Sequence, residues 1–139
     1  IWVEVESEAD EPAALVDRAQ IQQACFNLIK NAMQAMTDGG LIKISASHND
    51  KFVVLRIHDQ GGGIEQEELS KIFEPYTTTK PDGSGIGLLI VQRITRDHGG
   101  LMDIDSVPGK GSTFTLYLPR KDARISILAT APPEETGDA

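Results

Sequence analysis

Two glycine clusters enclose a threonine-rich segment within residues 59–88, which read D-Q-G-G-G-I at 59–64, K-I-F-E-P-Y-T-T-T-K at 71–80 and D-G-S-G-I-G-L at 82–88. Glycine lets a backbone approach a ligand closely and take dihedral angles that other residues avoid. Backbone N–H groups at such turns, or at the start of a following helix, are good phosphate donors. The pattern therefore predicts a nucleotide site around which the rest of the fold is arranged.

Composition restricts the class of protein. A chain of 139 residues, 40% hydrophobic and 24% charged, suits one globular domain with a core. The net charge of -8 argues against a broad nucleic-acid surface, which needs a basic face. No apolar run approaches the roughly 18 residues that span a bilayer, so we expect a cytoplasmic domain. The lone Cys25 lies in an apolar helical pattern and is expected to be a core residue instead of a reactive thiol.

Residues 17–36 carry two stripes at helical spacing, after an Asp17-x-x-Gln20 pattern that resembles a capping box. The apolar stripe consists of Ile21, Ala24, Cys25, Leu28, Ala32, Ala35 and Met36. The polar stripe consists of Gln23, Asn27, Lys30, Asn31 and Gln34. A polar stripe is most often a solvated helix face. Two asparagines one turn apart are poor helix formers, however, which favours a use for their side-chain oxygens.

The periodicity of the chain predicts five strands and three helices. We expect strands at residues 1–6, 41–47, 52–59, 101–106 and 112–118, mostly paired as antiparallel hairpins, and helices at 17–36, 65–73 and 85–98. This set predicts an α+β domain: a two-layer sandwich with a mixed, mostly antiparallel sheet and the helices on one face.

The segments between and after these elements differ in character. Residues 76–84 lack periodicity and are predicted to form a mobile loop. We expect the domain to cover residues 1–119 and residues 120–139 to be an extension or linker with one short strand at 125–128.

Asp59 continues the face of the second hairpin strand that carries Val53, Leu55 and Ile57. A carboxylate aligned with three buried aliphatic side chains is costly unless it accepts hydrogen bonds. The alternative is an ordinary turn cap, which is common for an aspartate before glycine. The direction of its face favours a pocket.

The common nucleotide motifs are absent from the sequence: there is no Walker A loop, no G-x-G-x-x-G fingerprint and no protein-kinase H-R-D or D-F-G. The motifs that are present, taken in order, closely resemble those of the catalytic ATP-binding domain of bacterial sensor histidine kinases. These belong to the Bergerat-type group shared with type II topoisomerases, Hsp90 chaperones and mismatch-repair ATPases. Residues 27–35 look like the N box, Asp59-x-Gly61-x-Gly63 like the first glycine box, residues 73–80 like the F box and residues 83–88 like the second glycine box. The resemblance covers about residues 1–119 and is greatest to the nitrogen-regulation and C4-dicarboxylate sensor branch.

The resemblance implies a role for each motif. Asp59 would accept a hydrogen bond from the adenine amino group, with Thr113 near the same ring. Asn31 would bind Mg²⁺ through its side-chain oxygen, supported by Asn27. Lys80 would steer the γ-phosphate from the mobile loop. The implied ATP-binding set comprises Asn27, Lys30, Asn31, Gln34, Asp59, Gly61, Gly63, Ile64, Tyr76, Thr78, Thr79, Lys80, Gly83, Ser84, Gly85, Ile86, Gly87, Leu88 and Thr113.

Two departures from the family pattern affect the expected chemistry. Gln34 stands where many members have a basic residue, so phosphate charge must be met elsewhere, by Lys30 unless that lysine is simply solvated. Asn27 stands where ATP-hydrolysing relatives in the wider group carry a glutamate, and an amide cannot act as a general base. The site is therefore expected to hold ATP for transfer to another nucleophile.

The expected nucleophile is not among the three histidines. His48, His58 and His98 are predicted in a hairpin turn, on an outward strand face and at a helix C-cap, and none has the H-E-x-x-x-P context of the family's phosphoacceptor. The resemblance implies a separate phosphoacceptor-His dimerisation domain upstream in the same parent protein and a response regulator downstream. The isolated domain would be monomeric. The parent protein would be a homodimer, which could be anchored in the inner membrane. The alternatives are a self-contained ATPase of the same superfold, a non-catalytic binding module, and a serine kinase, against which Lys80 of the F box speaks.

Overall fold

A computed structural model describes residues 1–7, 14–71 and 87–120 of the chain. In chain order the elements are β1 (Trp2–Ser7), α1 (Arg18–Ala35), β2 (Leu41–His48), β3 (Phe52–Asp59), α2 (Gln66–Leu69), α3 (Gly87–Asp97), β4 (Leu101–Val107) and β5 (Gly111–Pro119). These elements confirm the predicted α+β class. The predicted mobile loop at 76–84 and the short strand at 125–128 lie outside the described residues.

The five strands form one mixed sheet in the order β1-β2-β3-β5-β4. β2–β3 and β4–β5 are antiparallel hairpins, as expected, and β3 pairs with β5 antiparallel. β1 differs, because it pairs with β2 in parallel. A parallel pair needs a crossover connection, and α1 lies in the connection between these two strands. The apolar side chains of this edge strand remain exposed, including Trp2 at 79% and Val5 at 69%.

The core lies between the sheet and the two longer helices. α1 contributes Ala24, Leu28 and Ala32, and α3 contributes Val91 and Ile94. Their partners on the sheet include Ile42, Ile57, Phe114 and Leu116. We call the sheet surface that carries these residues the helix face and the opposite surface the outer face. The predicted apolar stripe of α1 is thus the side of the helix that faces the core. Cys25 in this stripe is half-buried, and burial raises the pKa of its thiol.

Both ends of α1 are capped. Asp17 is the N-cap, and its Oδ1 accepts a hydrogen bond from the Gln20 N–H at 3.1 Å, as the capping-box pattern predicted. At the other end Met36 is the C-cap, and its N–H donates to the Met33 carbonyl at 3.2 Å. In the turn that follows, the Gly39 N–H donates to the Met36 carbonyl at 3.0 Å, and glycine takes the φ of 87° found there without steric cost.

His98 joins the end of α3 to the start of α1. Its Nδ1 lies 2.7 Å from the Ile94 carbonyl oxygen, which confirms the predicted C-cap, and its Nε2 accepts a hydrogen bond from the Asp17 N–H at 2.9 Å. An imidazole that donates through Nδ1 and accepts through Nε2 is neutral. The same ring therefore caps α3 and fixes the residue that begins α1.

Arg120, the residue after β5, is hydrogen-bonded to the residues that connect β2 and β3. The Arg120 N–H donates to the Lys51 carbonyl at 2.8 Å, and its guanidinium donates to the Asn49 carbonyl at 2.9 Å. The boundary at residue 119 stays a prediction. Within the described ranges, no helix is long and apolar enough to cross a membrane.

Candidate functional site

Asp59 is the last residue of β3 and lies on the helix face with only 1% of its surface exposed. Its Oδ1 accepts a hydrogen bond from the Gly61 N–H at 2.8 Å. Both interpretations of the sequence therefore apply: the carboxylate caps the turn, and it is buried beside the core. A buried carboxylate is costly unless its oxygens accept hydrogen bonds, and this turn supplies one of them.

The first and third glycines of the first glycine box have no room for a side chain. A Cβ on Gly61 would lie 2.6 Å from the Ala35 carbonyl oxygen and 2.9 Å from Asp59 Oδ1. A Cβ on Gly63, whose φ is +75°, would lie 2.2 Å from the Val107 carbonyl oxygen. Gly62 has nothing within 4 Å of the same position. Close approach to α1 and to β4 therefore requires glycine at positions 61 and 63.

Residues 60–64, which we call the glycine loop, are held in place by β4 and by the turn that follows it. The Gly109 N–H donates to the Gly62 carbonyl at 2.7 Å, and the Ile64 N–H donates to Ser106 Oγ at 2.7 Å. At the other side of the loop, the Gln60 side-chain oxygen accepts a hydrogen bond from the Leu41 N–H at 3.1 Å. Residues 60–64 are thus attached to β2, to β4 and to the turn between β4 and β5.

Strand register decides which side chains accompany Asp59. Asp59 lies opposite Ser112 of β5, and Ser112 lies opposite Ser106 of β4. Ser112 is 4% exposed, and its Oγ is 2.8 Å from Ser106 Oγ. Because directly opposed residues in a sheet point to the same face, Ser112 is the β5 side chain beside Asp59.

Thr113 is not brought to this place. It lies opposite His58, and its Oγ1 is 2.7 Å from His58 Nδ1 on the outer face. The structure thus places Ser112, and not Thr113, on the face of Asp59, and the role of Thr113 near a bound ring stays a prediction. The sequence did contain the signal, because Ser112 shares its strand parity with the apolar Phe114 and Leu116, whereas Thr113 does not.

The polar stripe of α1 is not a fully solvated face. Asn27, Asn31 and Gln34 are partly buried, and Lys30 is exposed. The side-chain Nδ2 of Asn27 is buried and has no hydrogen-bond partner within the described residues. An unsatisfied buried donor is unusual and calls for an acceptor, so this position suits an oxygen-rich ligand.

The second glycine box is described only at its end. Gly87 is the first residue of α3, and Leu88 follows it and packs against the core. The other predicted ligands in this region lie outside the described residues, namely Tyr76, Thr78, Thr79, Lys80, Gly83, Ser84, Gly85 and Ile86. Among the residues that the structure does describe, no group of three or more His, Cys, Asp or Glu side chains could hold a metal ion.

Comparison with known proteins identifies the family. Residues 16–122 match the family described as histidine kinase-, DNA gyrase B- and HSP90-like ATPases. The chain belongs to this ATPase family. Among its relatives, the sensor histidine kinase ZraS of Escherichia coli strain K12 is 43% identical over 115 residues, which cover 80% of this chain and 25% of ZraS. Sporulation kinase A of Bacillus subtilis strain 168 is 36% identical over 121 residues, covering 87% of this chain and 20% of that kinase.

Solved structures share the fold of this ATPase domain. The nucleotide-free catalytic domain of histidine kinase ThkA has a TM-score of 0.76 and 32% identity, covering 86% of this chain and 78% of that one. Full-length ShkA in complex with AMPPNP has a TM-score of 0.77 and 28% identity, covering 86% of this chain and 25% of that one. This chain thus spans about a quarter of the length of ZraS and a fifth of that of sporulation kinase A. The finer resemblance to the nitrogen-regulation branch stays a prediction.

Proposed function

We propose that this domain binds Mg-ATP and donates the γ-phosphate to a histidine on a separate dimerisation and phosphoacceptor domain of a two-component sensor kinase. The observation that carries the proposal is the buried Asp59 carboxylate, which the glycine loop and Ser112 surround in a chain of the histidine kinase-like ATPase family. The full-length neighbour ShkA, solved with AMPPNP, supports the nucleotide.

The Asp59 end of the site is proposed to bind the adenine ring. A carboxylate that is ionised only accepts hydrogen bonds, so it pairs with the adenine amino group. Guanine presents a carbonyl oxygen at the equivalent position, and two acceptors facing each other without water are unfavourable. The glycines at positions 61 and 63 contribute by letting the backbone pack close to Asp59 on one side and to β4 on the other.

The polar stripe of α1 is proposed to face the phosphates and the metal. Mg²⁺ prefers oxygen ligands and usually takes few from the protein. Asn31 would provide one such oxygen, and Asn27, one helical turn earlier, would donate its buried Nδ2 to a phosphate oxygen. When bound, the ion would neutralise phosphate charge during transfer. Lys30 and Gln34 belong to the same stripe and complete the proposed α1 contribution.

Residues outside the described ranges complete the proposed site. Lys80, with Thr78 and Thr79, would contact the γ-phosphate, and Tyr76 belongs to the same segment. Gly83, Ser84, Gly85 and Ile86 would carry backbone donors to the phosphates, continued by Gly87 and Leu88 at the start of α3. These assignments rest on the family resemblance of the motifs.

We expect transfer to a histidine instead of hydrolysis. Activation of water requires a general base close to the γ-phosphate, and Asn27 occupies the α1 position where hydrolysing relatives carry a glutamate. The partners are accordingly a phosphoacceptor-His domain of the same parent, which would be a homodimer, and a downstream response regulator. A cytoplasmic location, with or without a membrane anchor in the parent, remains part of the prediction.

The proposal is tested by incubating the chain with Mg²⁺, γ-labelled ATP and a separately produced phosphoacceptor-His domain. We expect acid-labile label on the acceptor, dependent on Mg²⁺, and very little free phosphate. Free phosphate without acceptor labelling would instead support a self-contained ATPase. Nucleotide binding without either product would support a non-catalytic binding module, and acid-stable label would indicate a serine kinase.

A further inference from the structure

Ser106 of β4 occupies a junction between the glycine loop and the residue opposite Asp59. Its Oγ accepts a hydrogen bond from the Ile64 N–H at 2.7 Å. It donates to the Gly111 carbonyl at 3.2 Å and lies 2.8 Å from Ser112 Oγ. One hydroxyl group therefore contacts both the loop that follows Asp59 and the strand that faces it.

Counting donors and acceptors gives one direction in which all three of these contacts are made at once. A serine hydroxyl has one proton to donate and two lone pairs that accept. The Ile64 N–H takes one lone pair of Ser106, and the Gly111 carbonyl takes its proton. The contact with Ser112 can then be made only if Ser112 donates its own proton to the second lone pair. The reverse direction would leave the Gly111 contact unmade and one lone pair of Ser106 unused.

The direction of the Ser112 hydroxyl decides what this side chain offers to a group that binds beside Asp59. With its proton turned toward Ser106, the Ser112 hydroxyl has only lone pairs left for other groups. Ser112 and Asp59 are directly opposed, 4% and 1% exposed, and point to the same face. These two side chains therefore offer acceptor atoms to a group that binds against them, and that group has to supply the hydrogen atoms of any bond to the pair.

We propose that Ser106 is a positioning residue for nucleotide selectivity: by holding the Ser112 proton away from Asp59, it keeps the base-binding surface acceptor-only. Such a surface selects an amino group, or a water molecule that donates, over a carbonyl oxygen. The inference rests on the proposed adenine site and deepens it, because Ser106 would act on the base through its contact with Ser112.

The test compares Ser106→Val with Ser106→Thr, which differ only in a methyl group replacing a hydroxyl group and which both suit a strand. The affinities of the 139-residue chain for ADP and GDP are measured by calorimetry. In Ser106→Val the Ser112 hydroxyl can rotate and donate to the carbonyl of guanine. We therefore expect the ratio of ADP affinity to GDP affinity to fall about tenfold, which is the size of effect that one hydrogen bond has on affinity. Ser106→Thr should keep the wild-type preference.

A double-mutant cycle shows whether Ser106 acts through Ser112. In a Ser112→Ala background, Ser106→Val should produce no further change in the ADP to GDP preference. Ser45→Ala, a serine on the outer face of β2, is the matched control and should behave as wild type. A wild-type preference in Ser106→Val, or a fall of equal size in Ser106→Thr, would overturn the proposal.

A second readout separates this inference from the proposed function. Amide hydrogen exchange at Ile64, measured without nucleotide, should accelerate in Ser106→Val and not in Ser106→Thr, since only the valine removes the acceptor of that N–H. Unchanged exchange would contradict the role of Ser106 whatever the chain binds. Failure of the wild-type chain to bind ADP would overturn the proposed function itself, and with it the selectivity role.

Discussion

The two faces of the central sheet treat neighbouring residues in opposite ways. On the helix face Asp59 and Ser112 are directly opposed and almost fully buried, beside the core. One residue away, His58 and Thr113 are also directly opposed, but they lie on the outer face and bond to each other at 2.7 Å. The same two strands thus carry a candidate binding pair and an ordinary cross-strand pair.

The two pairs differ mainly in how far water is excluded from them. Each contains a hydroxyl group and an ionisable side chain. A hydrogen bond gains strength where water is excluded, and an unmet polar group there is costly. We therefore expect the helix-face pair to discriminate between ligands, whereas the outer pair is only partly buried and stays closer to water.

In the glycine loop, Gly62 should tolerate substitution and Gly63 should not. Gly63→Ala would place a Cβ 2.2 Å from the Val107 carbonyl at a φ of +75°, and we expect a loss of about 3–4 kcal/mol in the free energy of unfolding. Gly62→Ala has open space and should change it by less than about 1 kcal/mol. Urea denaturation of both variants checks this, and equal stabilities would contradict the tight packing against β4.

Asp59→Asn should abolish most nucleotide binding while the fold is retained. The amide replaces a charged acceptor with a group that also donates, so we expect about a hundredfold loss in affinity for ADP, in the range of a hydrogen bond to a charged group. His58→Asn on the outer face should leave the affinity within about twofold. Calorimetric titration measures both variants, and similar losses in the two would remove the distinction between the faces.

Ser112→Ala and Thr113→Ala test the assignment of the β5 side chain. We expect Ser112→Ala to weaken ADP binding by about five- to tenfold, because one buried hydroxyl beside Asp59 is lost. Thr113→Ala loses its bond to His58 and should leave ADP affinity unchanged. The reverse ranking in a fluorescence titration would restore the expectation that Thr113 lies near the ring.

Loss of an ion pair on the outer face should change the free energy of unfolding very little. Lys43 and Glu6 form an ion pair at 3.4 Å, and their side chains are 43% and 57% exposed. Exposed pairs contribute little because both charges are solvated and screened. We expect Lys43→Ala to lower the free energy of unfolding by less than about 0.5 kcal/mol, measured in urea at low and high salt. A loss above about 1 kcal/mol would show that this pair contributes more than its exposure implies.

Local patterns predicted most of the fold. The stripe from Ile21 to Met36 gave the helix and its buried face, and the Asp17 capping pattern gave its start. Hairpins were recognisable because alternating residues flank turn sequences. The parallel pairing of β1 was not predicted, since a short exposed edge strand carries no signal about its neighbour. The bond from the Asp17 N–H to His98 was also out of reach, because it joins backbone and side chain 81 residues apart.

Recognition of the site followed the same division. The motifs singled out Asp59, Asn27 and Asn31, and the structure shows the first buried and the two asparagines partly buried on α1. Their roles toward nucleotide and metal stay predictions. Ser112 was missed although its strand parity with Phe114 indicated the helix face. Ser106 was missed because its contacts with Ser112 and Ile64 join separate strands and loops and leave no local pattern.

The sequence by itself determined the element order, the buried stripe of α1 and the position of Asp59, because each depends on spacing within a few residues. The tertiary structure placed Ser112 directly opposite Asp59, attached the glycine loop to β4 and the turn that follows it, and paired β1 with β2. The physical reason is that register and close approach are set by contacts between distant segments. A shift of one residue reverses the face of every side chain in a strand.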